Sequence, residues 1–191
     1  MAGKCKAVRW LVIAWAAAAL IAAALGYKIM NPQIRNGNSA FTLAAVQTEI
    51  ENRFERVDHI TAAEMTAMAP AQLLIFDTRP AKEFAVSHIE NALRINPDMD
   101  AAEFTQTYGA AAGGKTLIFY CSVGMRSSNL AETLTAKLPQ AAGIYNLRGG
   151  LFGWHNEGRP LVNAAGPTES VHPYDENWEQ LVTRQEKLSY N

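Results

Sequence analysis

The sequence predicts an α/β fold in which helices cover both faces of a parallel sheet. Two apolar runs, Leu73–Asp77 and Thr116–Tyr120, have the length and composition of strands buried on both faces. Helix-like segments alternate with these and other short strand candidates. Hydrophobic residues make up 49% of the 191-residue chain and charged residues 18%, which is typical of a folded core and excludes a disordered chain.

The N-terminus has the pattern of a membrane signal. Basic residues at positions 4, 6 and 9 precede the uncharged stretch 10–27, which as a helix would span about 27 Å, enough for a hydrocarbon core. Because basic flanks stay in the cytoplasm, we expect the rest of the chain on the outer side of a bacterial-type inner membrane. Two interpretations of residues 1–27 stay open: an uncleaved single-pass anchor, or a signal peptide cleaved near residues 24–26 that leaves a soluble periplasmic protein. The length of the apolar stretch favours the anchor.

Residues 28–56 are expected to connect this signal to the domain. Residues 28–40 are polar and rich in turn formers, and they predict a linker. Phe41–Arg56 predicts a juxtamembrane helix that packs or spaces the domain. Its apolar residues recur on one helix face at Leu43, Val46, Ile50 and Phe54.

The domain itself is predicted over residues 57–163. Thr61 and Glu64 have the spacing of a capping box and predict a helix through Met68. Pro80 is predicted as the first residue of a helix. The other elements of this half are predicted to be a strand at Leu73–Asp77, a helix at Ala81–Val86, a strand at Leu93–Asn96 and a helix at Ala101–Tyr108.

In the second half, Ser127 is predicted as the possible cap of a helix whose apolar residues recur every four positions. In the tail, residues 164–191, we expect a polar helix at Asp175–Leu188 that packs weakly, after a loop framed by Pro167 and Pro173. The other elements are predicted to be a strand at Thr116–Tyr120, a helix at Ser127–Leu138, a strand at Ile144–Leu147 and a helix at Leu151–Asn156.

Cys121 stands where the second apolar strand ends and the next helix begins. A free cysteine is often only a small buried apolar residue, but here the strand gives way to Ser122, Gly124 and Arg126. Gly124 allows the backbone to bend so that several N–H groups point inward. A thiol at a helix N-terminus ionises more readily, and the thiolate is the nucleophile. The segment therefore predicts a cysteine-dependent enzyme.

Composition excludes several other classes of function. The net charge of -1, without a basic run, gives no indication of a nucleic-acid partner. The two cysteines, Cys5 and Cys121, are far apart and form no C-x-x-C pair, and the four histidines lack metal-ligand spacing. We therefore expect neither a metal nor a cofactor. No feature of the sequence indicates an oligomeric state.

Residues 57–163 resemble a single rhodanese domain, the sulfurtransferase family. The resemblance rests on several motifs that occur in the family's order and spacing. They are Asp77-Thr-Arg79 with Glu83, His88-Ile89-x-x-Ala92, Cys121-x-x-Gly124-x-Arg126-Ser127 and Arg148-Gly149-Gly150-x-x-x-Trp154.

The resemblance implies a five-stranded parallel sheet and persulfide chemistry. The thiolate of Cys121 would attack a sulfane sulfur donor such as thiosulfate, and the persulfide would pass its outer sulfur to a thiol or protein acceptor. The N–H groups of one loop would hold the anionic persulfide. That loop consists of Ser122, Val123, Gly124, Met125, Arg126 and Ser127.

The charged residues around the loop have two possible roles each. Arg126 either closes the loop, paired with Asp77, or attracts an anionic donor. Asp77 and Arg79 either tie the sheet edge to the loop or form a surface ion pair. Glu83 and His88 are expected to be structural.

Two alternative functions remain on this scaffold. Related phosphatases and arsenate reductases use a longer C-x5-R loop, whereas this chain has C-x4-R from Cys121 to Arg126. Other relatives are non-catalytic partner-binding modules, usually without the cysteine. Ser122 also stands where the family frequently has a basic residue, which weakens the expectation that thiosulfate is the natural donor.

Overall fold

The computed structural model describes residues 41–191, so the predicted membrane signal and the linker 28–40 lie outside the described residues. Five parallel strands form one sheet in the order β1-β5-β4-β2-β3. The strands are β1 (Asp58–Ile60), β2 (Leu73–Asp77), β3 (Leu93–Arg94), β4 (Thr116–Tyr120) and β5 (Gly143–Leu147). Within residues 41–191, no helix is long and apolar enough to cross a membrane.

The two predicted central strands are confirmed with their predicted bounds. Leu117, Ile118, Phe119 and Tyr120 of β4 have no exposed surface. Because successive side chains of a strand point to opposite faces, both faces of β4 are covered. Asp77 pairs in register with Tyr120, so the residues that follow β2 and β4 leave the sheet at the same edge, where ligands bind in parallel α/β sheets.

Six α-helices accompany these strands in the described part of the chain. The predicted capping box at Thr61 and Glu64 is present, with each side chain accepting the other's backbone N–H. Pro80 is the N-cap residue of its helix and not the first helical residue. The helices are α1 (Leu43–Arg53), α2 (Ala62–Ala67), α3 (Ala81–Val86), α4 (Ala101–Tyr108), α5 (Met125–Thr135) and α6 (Gly150–Asn156).

Helix α1 is shorter than predicted at both ends, because the Thr42 side chain caps its N-terminus and the helix ends before Phe54. The predicted apolar face is largely confirmed, since Val46, Ile50 and Phe54 are buried. The helix belongs to the compact unit Thr42–Asn191. The proposed domain boundaries at residues 56 and 163 stay a prediction.

The predicted start of α5 at Ser127 was wrong. Gly124 takes a positive φ of 107° at the N-cap position, so the helix begins at Met125 and ends at Thr135. Ser127 is buried inside the first turns. Its hydroxyl donates to Asn146 Oδ1 of β5 at 2.6 Å and caps nothing.

The predicted polar helix in the tail was also wrong. Its region holds two short 3-10 turns, Glu179–Leu181 and Gln185–Lys187, after an Asx turn in which Asp175 accepts two backbone N–H groups. The packing is not weak, because Trp178, Leu181 and Val182 are buried with the core. Where a loop around Pro167 was expected, two short antiparallel strands occur, β6 (Leu161–Asn163) and β7 (Gly166–Thr168).

Candidate active site

Cys121 is the first residue after β4 and is 1% exposed. Its sulfur accepts a hydrogen bond from the Gly124 N–H at an N–S distance of 3.1 Å. The positive φ of Gly124 folds the loop back onto the sulfur immediately before α5 begins. The thiol therefore faces the backbone of its own loop, as the sequence predicted.

Three consecutive carbonyl groups of this loop accept hydrogen bonds from elsewhere in the molecule. Two bonds come from the first turn of α6, from Leu151 N to Cys121 O (2.8 Å) and from Phe152 N to Ser122 O (2.9 Å). The third comes from α1, where Gln47 Nε2 donates to Val123 O at 2.8 Å. With its carbonyl oxygens held in this way, the loop keeps N–H groups directed at the sulfur.

The close approach of α6 requires glycine at position 150. Gly150 has a φ of +55°, and a Cβ atom there would lie 2.4 Å from the Cys121 carbonyl oxygen. The Gly149-Gly150 motif therefore positions the cysteine loop through backbone contact. The two glycines act in this contact through their backbone atoms alone.

Arg126 pairs with Glu83 and not with Asp77, so the expected Arg126–Asp77 pair was wrong. The guanidinium donates to both Glu83 carboxylate oxygens at 3.3 and 3.2 Å and to Ser122 Oγ at 3.0 Å. The Ser122 hydroxyl in turn donates to Glu83 at 2.8 Å. Glu83 is only 4% exposed, and it lies in this site although its predicted role was structural.

The electrostatics of the loop favour a thiolate. Burial raises the pKa of the Cys121 thiol, but the positive charge of Arg126 and the backbone N–H groups of Ser127, Gly124 and Val123 lower it more. The net pKa of Cys121 lies below the ordinary value for a thiol. The arrangement therefore raises the thiolate fraction at a given pH, and the thiolate is the nucleophilic form of cysteine.

Asp77 and Arg79 form a buried ion pair, so the alternative of a surface ion pair was wrong. Both side chains have no exposed surface, and their closest N–O distance is 2.6 Å. Arg79 also donates to the Ser87 carbonyl at 2.6 Å. The pair therefore links β2 to the end of α3, and it also contacts β4, because the Arg79 guanidinium carbon lies 5.8 Å from the centroid of the Tyr120 ring.

The tail contributes a residue for which the sequence predicted no role. The Tyr174 ring lies against the guanidinium of Arg126, with 5.4 Å from the carbon of that group to the ring centroid. No sequence motif marks this contact, since it joins residues 48 positions apart. Within residues 41–191, no group of His, Cys, Asp and Glu side chains is suited to hold a metal ion.

The remaining loop residues differ in their exposure. Val123 and Ser127 are buried, and Met125 is half-buried at the start of α5. The structure thus brings Cys121, the predicted loop residues and Glu83 together at one edge of the sheet.

The site defines an α/β protein in which a five-stranded parallel sheet carries a cysteine loop, followed by a helix, at its carboxyl edge. The family description "Rhodanese-like domain" matches residues 61–157, about half of the chain, and the chain belongs to that family.

Comparison with individual proteins gives weaker similarities. The chain is 31% identical over 104 residues to an uncharacterized protein of Synechocystis sp., and it spans about half the length of that curated relative (52% of each chain). A rhodanese-related protein from Thermoplasma volcanium is 23% identical with a TM-score of 0.45, over 55% of this chain and 97% of that chain. A thiosulfate sulfurtransferase from Pseudomonas aeruginosa is 20% identical with a TM-score of 0.49, over 75% of this chain and 26% of that chain.

Proposed function

We propose that this protein is a sulfurtransferase that carries a sulfane sulfur as a persulfide on Cys121. The observation that carries the proposal is the hydrogen bond from the Gly124 N–H to the Cys121 sulfur in a loop whose charges lower the pKa of that thiol. Rhodanese-like domains are often sulfurtransferases, and this one keeps the cysteine, the glycine and the arginine of its C-x4-R loop.

The proposed reaction has two balanced steps. The Cys121 thiolate attacks the sulfane sulfur, the new S–S bond forms, and the donor leaves with the electron pair of its own broken bond, as sulfite from thiosulfate or as a thiolate from a persulfide. An acceptor thiolate then attacks the outer sulfur and releases Cys121 as the thiolate. Neither step needs a metal or a further oxidant. The anionic persulfide accepts hydrogen bonds from the same loop N–H groups as the thiolate.

The charges at the site favour a donor with little negative charge. Arg126 is the cation beside Cys121, but Glu83 neutralises it through two hydrogen bonds. With Cys121 ionised, Cys121, Arg126 and Glu83 together carry a net charge of about -1, which opposes a thiosulfate dianion. An alkyl persulfide without other charged groups carries at most one negative charge and fits the site better.

Intact-mass measurement tests the proposal directly. The full-length chain in a Cys5→Ser background is incubated with thiosulfate, with polysulfide and with an alkyl persulfide. We expect the mass of one added sulfur atom, its loss on addition of a thiol acceptor, and no adduct in Cys121→Ser. No adduct from any of the three donors contradicts the proposal.

Two further assays distinguish the alternative functions from sulfur transfer. Turnover of an aryl phosphate at a rate comparable to sulfur transfer would favour the phosphatase alternative, against which the short loop argues. Full biological function of Cys121→Ala would favour a partner-binding module.

We also propose that residues 10–27 hold the domain at the outer face of a membrane. Support comes from the sequence alone, namely the basic residues that precede an uncharged stretch. N-terminal sequencing of the mature protein and its fractionation from cells test this. An intact N-terminus in the membrane fraction supports the anchor, a new N-terminus near residue 27 in the periplasm supports cleavage, and a cytoplasmic protein contradicts both.

A further inference from the structure

The hydrogen bonds that hold the cysteine loop come from two different parts of the chain. Leu151 and Phe152 of α6 donate through backbone N–H groups, which any non-proline residue provides. The Val123 carbonyl instead accepts from a side-chain amide, that of Gln47 on α1. This third bond therefore depends on the identity of one residue, which lies outside the family match at residues 61–157.

The same peptide group connects Gln47 to the reactive sulfur. Its carbonyl, on Val123, accepts from Gln47 Nε2 at 2.8 Å, and its N–H, on Gly124, donates to Cys121 Sγ at 3.1 Å. Because a peptide group is planar, fixing the direction of its carbonyl also fixes the direction of its N–H. A hydrogen bond to the carbonyl further polarises the group, so the N–H becomes a better donor.

The burial of Gln47 is difficult to explain by stability alone. Its side chain is 5% exposed, and its Oε1 atom has no hydrogen-bond partner among the described residues. A buried polar atom without a partner costs free energy, which an apolar residue of similar size would avoid. Helix α1 already has apolar anchors on the domain in Val46 and Ile50. The amide at position 47 therefore serves the loop that it contacts.

We propose that Gln47 is a positioning residue that acts through the Val123–Gly124 peptide group, aiming the Gly124 N–H at the Cys121 sulfur and strengthening that hydrogen bond. Its effect is to stabilise the anionic forms of Cys121 relative to the neutral thiol. Helix α1 thereby becomes part of the catalytic apparatus, although it does not touch the sulfur.

The test is a titration of Cys121 in variants of Gln47. The full-length chain in a Cys5→Ser background is alkylated with iodoacetamide across a range of pH, so that the rate reports the thiolate of Cys121. Gln47→Met keeps the size of the side chain but removes the donor, and we expect the apparent pKa of Cys121 to rise by about 0.5 to 1 unit. Gln47→Glu should raise it further, because an ionised carboxylate donates no proton and adds a negative charge.

Two control variants on the same helix separate positioning from packing. Thr48→Ala changes an exposed neighbour and should leave the titration unchanged. Ile50→Val loosens the buried face of α1 but keeps the amide, and it should lower stability without moving the pKa. Should Gln47→Met fail to fold, Gln47→Asn, which is one methylene too short to reach Val123, gives the same comparison.

Two results would overturn the proposal. One is a titration of Gln47→Met or Gln47→Asn that superimposes on the wild type, and the other is an equal shift in Ile50→Val. Alkylation needs no sulfur donor, so the result is independent of the sulfurtransferase proposal. Persulfide formation can fail while the titration shift is present, and persulfide can form while the shift is absent.

Discussion

At the scale of single residues, the site is governed by Arg126 and its two partners, Cys121 and Glu83. The Cys121 thiolate interacts with Arg126, and Arg126 is shared with Glu83. Arg126 has to stabilise two anions at once, so the pKa of Cys121 and the choice of donor depend on both of its partners.

Replacement of Arg126 should raise the pKa of Cys121. In Arg126→Met the positive charge that lowers this pKa is absent while burial still raises it, so we expect an upward shift of about 1 to 2 units. The thiolate fraction at neutral pH falls with it, and the alkylation rate drops near pH 7 but approaches the wild-type rate at high pH. Arg126→Lys, which keeps the charge, should shift the profile less. Identical pH profiles for Arg126→Met and the wild type would contradict the prediction.

Replacement of Glu83 should change donor preference. Glu83→Gln leaves the charge of Arg126 without its carboxylate partner, so the thiosulfate dianion should gain about threefold to tenfold in kcat/KM relative to an alkyl persulfide, which is about 0.7 to 1.4 kcal/mol. The control is Glu90→Gln, the same change of charge at an exposed position. An unchanged donor ratio in Glu83→Gln, or an equal change in Glu90→Gln, would count against a role for Glu83 in donor choice.

The sequence predicts the nucleophile better than it predicts the surroundings of the nucleophile. Cys121 stands out because an apolar strand ends at it and a glycine follows three residues later, and both signals are local. Gln47 and Tyr174 reach the site only through the fold, from 74 positions before Cys121 and 53 positions after it, and no local pattern marks them. Glu83 belongs to a motif of the resemblance, but nothing in that motif places it beside Arg126. Pairing of Arg126 with Asp77 was expected because Asp77 ends β2 and Arg126 follows β4 at the same sheet edge. The buried Asp77 instead forms its ion pair with Arg79.

At the scale of elements, the approach of α6 to the cysteine loop depends on Gly150. Gly150→Ala places a Cβ 2.4 Å from the Cys121 carbonyl oxygen at a φ of +55°, so backbone must move and the residue is strained. We expect a loss of about 2 to 4 kcal/mol in the free energy of unfolding, measured in denaturant. Gly158→Ala is the matched control, since its φ is +70° but nothing lies within 4 Å of the added Cβ, and it should cost only about 1 kcal/mol. Equal losses would show that φ strain alone determines the effect.

Elements were predictable where local composition determines them. The apolar strands β2 and β4 end at Asp77 and Tyr120, and their bounds were predicted to the residue. The start of α5 was predicted wrongly because Ser127 has the residue type of a side-chain cap. The helix begins earlier, after Gly124 in the left-handed conformation, and no side chain caps it. The tail was predicted wrongly because Trp178, Leu181 and Val182 have the spacing of a helix face. In the structure a short 3-10 turn places these side chains in the core of the domain.

At the scale of the whole molecule, the tail is connected to the cysteine loop through α6. Asn156, the last residue of α6, donates to Leu181 O at 2.8 Å and accepts from Thr183 N at 2.9 Å. The first turn of the same helix holds the Cys121 and Ser122 carbonyls. The tail, α6 and the loop should therefore unfold together.

Removal of the Trp178 side chain tests this coupling. The residue is 9% exposed, so Trp178→Ala leaves a cavity and should lower the free energy of unfolding by about 3 to 4 kcal/mol. Glu176→Ala, an exposed neighbour in the tail, should change it by less than about 0.5 kcal/mol. Because the tail belongs to the cooperative unit, far-UV circular dichroism of Trp178→Ala in denaturant should show one transition, shifted to lower denaturant concentration. An unshifted main transition after a small early one would mean that the tail unfolds independently of the domain.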